Sequence, residues 1–473
     1  MFSLITKSRI YRLGSVTMNE LNVPSNEFNS KFTKPSASLW SSTAIAAPKT
    51  GALADDVCSD VVVVGAGITG LSTAIHLAEL GHQVVVLEAG ELGAAASGLN
   101  GGQVIPGLKH SPRKLVKMYG DTLGGEIARA SQASANYTFD FIERLNIQCE
   151  ARQGGWIKAC HDQKFLNEAL ADAQDLMLHD APIEILNAQQ IQEKIGSDKF
   201  IGGYLDKRAG SVQPLSYTRE LCRVALSLGV KVYTQSGVER LYERTAVPAH
   251  EYSWQVNTAL GSIKTNHVVL ATNAKTGDLW PKLKKTVFPM NSFQIATKPL
   301  SKELLAEILP QGHVVSDSHR MLSYFRTDSH GRLILGGEGG LKDVPTLKDA
   351  AGIKKSINRF FPQLKDIESE FIWSGQVAVT ADYMPRLSNP APGLYCAVGF
   401  NGRGVAMATL MGNYLAKLIR GSGAEDIPFP ITDINPVPLH CFYKLGAAAV
   451  MAGMRVQDHL EDARMDKIWA KNG

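Results

Sequence analysis

The chain has few cysteines, and none of them are paired. Cys58, Cys149, Cys160, Cys222, Cys396 and Cys441 are widely spaced, form no Cys-x-x-Cys, and lack the clustered histidines of a zinc site. They read as reduced thiols in a cytoplasmic protein, with no metal site expected. Also missing is any run of about 18 apolar residues, the length a membrane helix needs. Leu445 to Met454 is apolar but too short, and reads as packing. Charge is nearly balanced, at a formal +4 over 473 residues without a basic block, which leaves no electrostatic footprint for nucleic acid. Internal repeats and low-complexity tracts are absent as well. What remains is a chain long enough for two domains at about 100–200 residues each.

Against this background one segment stands out. Asp60-Val61-Val62-Val63-Val64 reads as a parallel strand buried on both faces, and Gly65-Ala66-Gly67-Ile68-Thr69-Gly70 follows it directly. Leu71, Ala74, Ile75 and Ala78 then recur at helical spacing, Gly81 sits where a C-terminal cap belongs, and Val84 to Leu87 forms a second strand ending at Glu88. Each part of a dinucleotide-binding βαβ unit is present in order. Gly65 makes the tight turn, Gly67 lets a pyrophosphate approach the helix N-terminus, and Gly70 lets helix and strand pack closely.

Glu88, about 20 residues beyond the glycines, accepts hydrogen bonds from ribose hydroxyls and would repel the 2′-phosphate of NADP. NAD and FAD remain. The loop Ala95-Ala96-Ser97-Gly98-Leu99-Asn100-Gly101-Gly102-Gln103 decides between them. Its small residues offer the close backbone contact that a ribityl chain and flavin ring require, and an NAD domain has no particular need for it. FAD is the expected cofactor.

Elsewhere the patterns alternate. The first eighteen residues carry Lys7, Arg9 and Arg12 with no acid before Glu20, a faint targeting pattern that is short, poorly organised and followed by Met18, so an over-long start or a disordered tail is expected. Residues 22–57 read as an extended lead-in. Stretches 114–145 and 164–195 read as mainly helical, Pro214 to Leu228 as a helix ended by Gly229, and Val230 to Tyr233 as a strand. A hairpin of Trp254 to Thr258 and Ile263 to Leu270 leads to Ala271-Thr272-Asn273-Ala274, small and polar as a strand tip at a cofactor should be. Short strands dominate 287–371, including Ser292 to Ala296, Leu322 to Arg326 and Arg332 to Leu335. Finally Leu394 to Val398 reads as a strand, Gly399 to Gly404 as a tight loop, and Val405 to Ile419 as a helix whose bare N-terminus would stabilise the negative charge of a reduced flavin.

Taken in order, Gly65–Gly70, Ser97–Gln103, Val268–Ala274, Tyr324-Phe325-Arg326, Arg332–Gly337 and Gly399–Val405 resemble the D-amino-acid oxidase superfamily of flavoproteins. Within it the chain is most similar to bacterial γ-glutamylputrescine oxidases and L-pipecolate oxidase relatives, over residues 36–440. Two positions depart. Leu99 stands where these relatives usually carry arginine, and Arg403 where the γ-glutamylputrescine group usually carries histidine. The resemblance implies an α/β (α+β overall) architecture, with a Rossmann-like FAD-binding domain and a second, mainly antiparallel-sheet substrate domain. The expected division gives residues 1–57 to an N-terminal extension, 58–105, 205–280 and 375–425 to the FAD domain, 106–204 and 281–374 to the substrate domain, and 426–473 to a tail.

Cofactor contacts are expected from Gly65, Gly67, Ile68, Thr69, Gly70, Glu88, Ser97, Asn100, Gly101, Gly102, Gln103, Thr272, Asn273, Gly399, Asn401, Gly402, Arg403, Gly404 and Val405. The resemblance also implies a substrate carboxylate bound by an arginine on a strand of the second sheet, for which Arg326 is the best fit, with Tyr324 and Gln294 beside it. His319 is a further candidate for the same cavity, with an exposed loop as its favoured reading. Flavin chemistry takes a hydride from a carbon bearing a neutral amine, so no catalytic triad or carboxylate pair is required and no catalytic side chain is assigned. Cys396 precedes the last loop and reads as buried rather than flavin-linked. Expected partners are a small amine or amino-acid substrate and oxygen or another electron acceptor. The expected activity is C–N oxidation of the γ-glutamylputrescine oxidase type. L-pipecolate or cyclic amino-acid oxidation, electron transfer to a quinone or partner protein, and an inert flavin-binding subunit stand as alternatives.

Overall fold

The computed structural model describes residues 38–244, 252–338, 340, 347–423 and 426–472. The basic N-terminal pattern lies outside them. Asp56–Val64 is the central strand of the first sheet, parallel to Ser262–Leu270 on one side and Val84–Leu87 on the other. Lys231–Tyr233 and Leu394–Val398 extend these parallel neighbours, and Arg386–Ala391 closes one edge antiparallel. The valine run Val61–Val64 is buried because both faces are covered. On one side lie the helices Ile68–Glu79, Pro214–Ser227 and Gly404–Arg420. The other side carries Trp254, Trp280 and Val287.

The second sheet runs Ser369–Val379, Phe288–Pro299, Arg332–Glu338, Ser323–Thr327, Val314–Ser316, Trp156–Cys160, Gly202–Asp206, Ile183–Asn187. Every pairing in it is antiparallel except that between Val314–Ser316 and Trp156–Cys160. Helices Ala188–Ile195 and Leu347–Phe360 back one face through Ile191, Ile195, Ile357 and Phe360.

Several stretches lie elsewhere than expected. Asp121–Arg144 is helical, but it buries Ile127, Ala135, Phe141 and Ile142 in the nucleotide-domain core, not in the substrate domain. Residues 164–195 are interrupted by the edge strand Ile183–Asn187. The lead-in contains a short helix, Leu39–Thr43, capped by Ser38, whose Leu39 and Trp40 are fully buried against Trp373 and Ile334. Residues 443–472 form one long helix rather than a tail. Among the described residues no helix is long and apolar enough to cross a membrane.

Candidate active site

At the fingerprint, Gly65 has φ +106°, and a Cβ there would stand 2.9 Å from the Ala271 carbonyl oxygen. That left-handed crowding admits only glycine. Gly67 caps the helix Ile68–Glu79 without a side chain, and a Cβ on it would come within 2.8 Å of Ser97 Oγ. Ser97 Oγ itself accepts from the Ile68 amide at 3.0 Å. The Glu88 carboxylate accepts from the amides of Ala66 (2.9 Å) and Gly90 (3.1 Å). Burial raises its pKa, and those amides oppose the shift. The chain thus presents a helix N-terminus, a place a Cβ would fill, and a carboxylate beside it, which fits the pyrophosphate and ribose of FAD.

The loop after the second strand holds a single helical turn, Ala96–Leu99. Asn100 ties it together, donating from Nδ2 to the Ala96 and Ser97 carbonyls and accepting from the Gly102 amide. At the far strand ends, Asn273 Oδ1 accepts from the Gly399 amide at 3.0 Å. Asn401, with φ +53°, donates to the Gly399 carbonyl and accepts from the Thr380 amide. These bonds hold the Gly399–Gly404 turn against the strand tip and set the start of Gly404–Arg420.

One cavity of about 1890 Å³ runs from the fingerprint to the second sheet. Small-ligand pockets hold roughly 300–1,000 Å³, so this one has room for a dinucleotide and a second molecule. Gly65, Gly67, Ile68, Thr69, Glu88, Ser97, Asn100, Gly101, Gln103, Thr272, Asn273, Asn401, Gly402, Arg403, Gly404 and Val405 line it, as do Tyr324 and Gln294. Tyr324 bonds Ser292 Oγ at 2.8 Å, and burial pushes its phenol up to about 12. Gln294 Nε2 donates to the Leu99 carbonyl, leaving Oε1 enclosed without a partner.

Gly70, Gly102, Gly399 and Arg326 do not line the cavity. A Cβ on Gly70 would fall 2.0 Å from the Gly65 oxygen, so this glycine serves helix packing. Gly102 is pressed against the Val212 carbonyl, and Gly399 against Thr380. The correction at Arg326 matters most. Its guanidinium donates to the carbonyls of Gly101 (2.8 Å), Val212 (2.8 Å) and Thr327 (3.3 Å) and lies over the Trp40 ring. With each of its three nitrogens donating to backbone, it fastens the Gly101 and Val212 segments to the second sheet.

His319 also departs from expectation. It is enclosed between Asp317, 2.7 Å from Nδ1, and Asp462, 2.9 Å from Nε2, and its ring stacks on His161 at 3.7 Å. His161, His319 and Asp462 bring three donor atoms within 4.8 Å. The rings are parallel to within 3°, so their lone pairs run side by side instead of converging on one ion. None of the six cysteines lines the cavity. Cys396 is buried, with its thiol pushed up to about 12 by burial.

The residues missed by sequence reasoning roof the cavity. From the helix Tyr443–Asn472, Tyr443, Ala447, Val450, Met451 and Met454 face it. One turn further on, Asp458 accepts from the Arg320 and Met321 amides, and Glu461 takes both Nη atoms of Arg320 at 2.6 and 2.8 Å. Asp462 pairs with Arg359, and Arg464 with Asp162. The apolar run is therefore divided: Met451 is buried under the roof, while Leu445 is 72% exposed. The spacing of Asp458, Glu461 and Asp462 placed them on one helical face, a readable signal without a visible partner.

With this geometry in place, comparison decides the family. The family described as FAD dependent oxidoreductase (DAO) matches residues 60–418. The chain belongs to this family. It is an FAD-dependent amine or amino-acid oxidoreductase. It is 31% identical over 401 residues to γ-glutamylputrescine oxidoreductase of Escherichia coli K12, covering 82% of this chain and 89% of that one. To the probable oxidoreductase OrdL of Haemophilus influenzae it is 30% identical over 371 residues, covering 77% and 83%. Its fold is shared with glycine oxidase from Bacillus cereus (TM-score 0.64, 20% identity, 77% and 96% covered). L-proline dehydrogenase from P. horikoshii is similar in the same way (TM-score 0.64, 22% identity, 78% and 95% covered).

Proposed function

We infer that the chain oxidises the C–N bond of an amine that also carries a carboxylate. The observation supporting this is an enclosed guanidinium, Arg403, facing the cavity with Nε and Nη1 unpartnered. FAD, when bound, supplies the hydride acceptor for the carbon next to nitrogen. The protein's share is positioning and electrostatics. Arg403 puts positive charge into the cavity wall, which disfavours a substrate ammonium and favours the neutral amine that can release hydride. The C-terminal helix adds the mainly apolar side chains of Tyr443, Ala447, Val450, Met451 and Met454 to the cavity wall.

γ-Glutamylputrescine-type conjugates are one substrate set, supported by the E. coli relative. L-pipecolate and other short amino acids are the second, favoured by the place of Arg403 on the glycine loop. The unpaired thiols fit a reducing cytoplasm, which cell fractionation would test. Anaerobic bleaching of the flavin against polyamine conjugates, imino acids and D-amino acids tests the reading: at least one carboxylate-bearing amine should reduce it. Flavin that no amine reduces would favour an inert subunit. Peroxide release in air separates oxygen from a quinone or protein acceptor.

A further inference from the structure

The helix Tyr443–Asn472 turns its acids inward and an apolar strip outward. Asp458 and Glu461 pair with Arg320, Asp462 with His319 and Arg359, and Asp466 lies within reach of the Arg359 charge. Met451, Asp458 and Met465, seven residues apart, are buried. On the opposite side Leu445, Ala449, Ala452, Val456, Leu460 and Ala463 follow at intervals of three or four residues, and all are exposed. A surface helix ordinarily does the reverse. The strip is about 27 Å long at 1.5 Å per residue. Leu439 and Phe442, just before the helix, are exposed too, so that Leu439, Phe442, Leu445, Val456 and Leu460 stand 58–75% open to solvent in one stretch of chain. Apolar surface gathered in this way marks a contact with a partner or a membrane.

Cations accompany the strip. Lys444, Arg455 and Lys467 are exposed on the helix and form no ion pair among the described residues. At the helix start the loop 282–286 adds Lys282 and Lys285, both exposed, while Lys284 pairs with Asp278. That loop is fixed beside the helix: the Val437 amide donates to the Lys285 carbonyl at 2.9 Å, and His440 Nε2 donates to the Val287 carbonyl at 2.8 Å with its ring stacked on Phe288.

We propose that this outer face of the C-terminal helix docks on the surface of an anionic lipid bilayer, with Leu445, Val456 and Leu460 entering the headgroup boundary and Lys282, Lys285, Lys444 and Arg455 meeting lipid phosphates. Two observations select this occupant. The first is charge: the side chains beside the strip that carry charge without an ion pair are cationic, so a second copy of the chain laid on the same face would set cation against cation, whereas an anionic surface complements them. The second is area. A strip about 27 Å long and one helix diameter, about 10 Å, wide offers roughly 300 Å², against about 800 Å² per partner in a stable protein interface. A bilayer sets no such minimum, because an interfacial helix is held by apolar burial and lipid charge together.

The test floats the full-length, FAD-loaded protein with vesicles of equimolar phosphatidylcholine and phosphatidylglycerol, with pure phosphatidylcholine vesicles as the control without net charge. The protein should rise with the anionic vesicles, stay behind with the neutral ones, and detach as salt is raised. Lys444→Gln combined with Arg455→Gln should weaken binding about 30-fold, at roughly fivefold for each cation removed. Val456→Glu combined with Leu460→Glu should abolish it. All four residues are exposed and lie outside the cavity, so flavin content and thermal unfolding should hold in both variants. Leu178→Glu, at an apolar side chain 83% exposed just beyond the helix Gln163–Met177, should float like the wild type. No flotation, equal flotation with both kinds of vesicle, or flotation that the glutamine or glutamate variants retain in full would overturn the proposal. So would a dimer in sedimentation that the glutamates dissolve while neither form binds vesicles, because the strip would then belong to a second copy of the chain.

Discussion

The cofactor end of the cavity is made largely of backbone, and the substrate end of side chains from distant segments. At the first end, glycines and amides from 65–70, 97–103 and 399–404 shape the wall, and the side chains that take part, Glu88, Ser97, Asn273 and Asn401, bond main-chain groups. At the second, Arg403 rests on Trp156, His319 on His161, and the roof is joined to the sheet by Arg320 with Asp458 and Glu461. Backbone walls suit a ligand whose shape is constant across a family. Side-chain walls can be exchanged singly, and substrate identity can change there without disturbing the cofactor.

The sharpest way to break that contrast is at Gly67. A Cβ there already meets Ser97 Oγ at 2.8 Å, so Gly67→Val places a branched side chain where the pyrophosphate would approach. FAD content of the purified protein should fall at least about tenfold. Normal occupancy would mean that the helix N-terminus is not the pyrophosphate site.

Arg326→Ala comes next, and it asks to which end a buried arginine belongs. Removing the guanidinium leaves three carbonyls without their donor and opens space under Trp40. At roughly 1–3 kcal/mol for each buried group left unpaired, the loss should be at least about 3 kcal/mol. Thermal unfolding should drop by several degrees. In whatever protein stays folded, the substrate constant should hold. A raised constant at unchanged stability would return Arg326 to the substrate site.

That residue also shows what could be read from sequence. The valine run, the three glycines and Glu88 declare themselves because strand, glycine turn, helix and acid follow one another within about 30 residues. Tyr324 and Gln294 follow from strand membership. For Arg326 the strand was legible, but the direction of the guanidinium depended on carbonyls at 101 and 212, which no local pattern reveals. Trp40 was hidden in a segment whose composition resembles a linker. The roof was missed for the same reason. Leu445–Met454 signals burial of some kind, and Asp458, Glu461 and Asp462 signal one helical face, yet their partners at 319, 320 and 359 are about 100 or more residues away.

The smallest effects lie in that roof, where two substitutions sharpen the contrast between enclosed and exposed charge. Asp458 is 7% exposed and accepts from two backbone amides as well as Arg320 Nη1. Asp458→Asn keeps one acceptor but loses the charge, and a charge-assisted bond is worth about 1.5–3 kcal/mol against 0.5–1.5 for a neutral one. The helix should therefore loosen by about 1–2 kcal/mol, a factor of about 5–30 in its opening equilibrium, visible as faster amide exchange over 443–467. Arg464 also pairs with a buried acid, Asp162, but its side chain is 62% exposed, and solvent-screened pairs contribute about 0–1 kcal/mol. Arg464→Ala should change exchange by no more than about fivefold, with part of even that removed by moderate salt. If the order reverses, and the exposed arginine proves to hold the roof more firmly than the enclosed aspartate, then the helix is fastened at its distal end and the Arg320 cluster only follows.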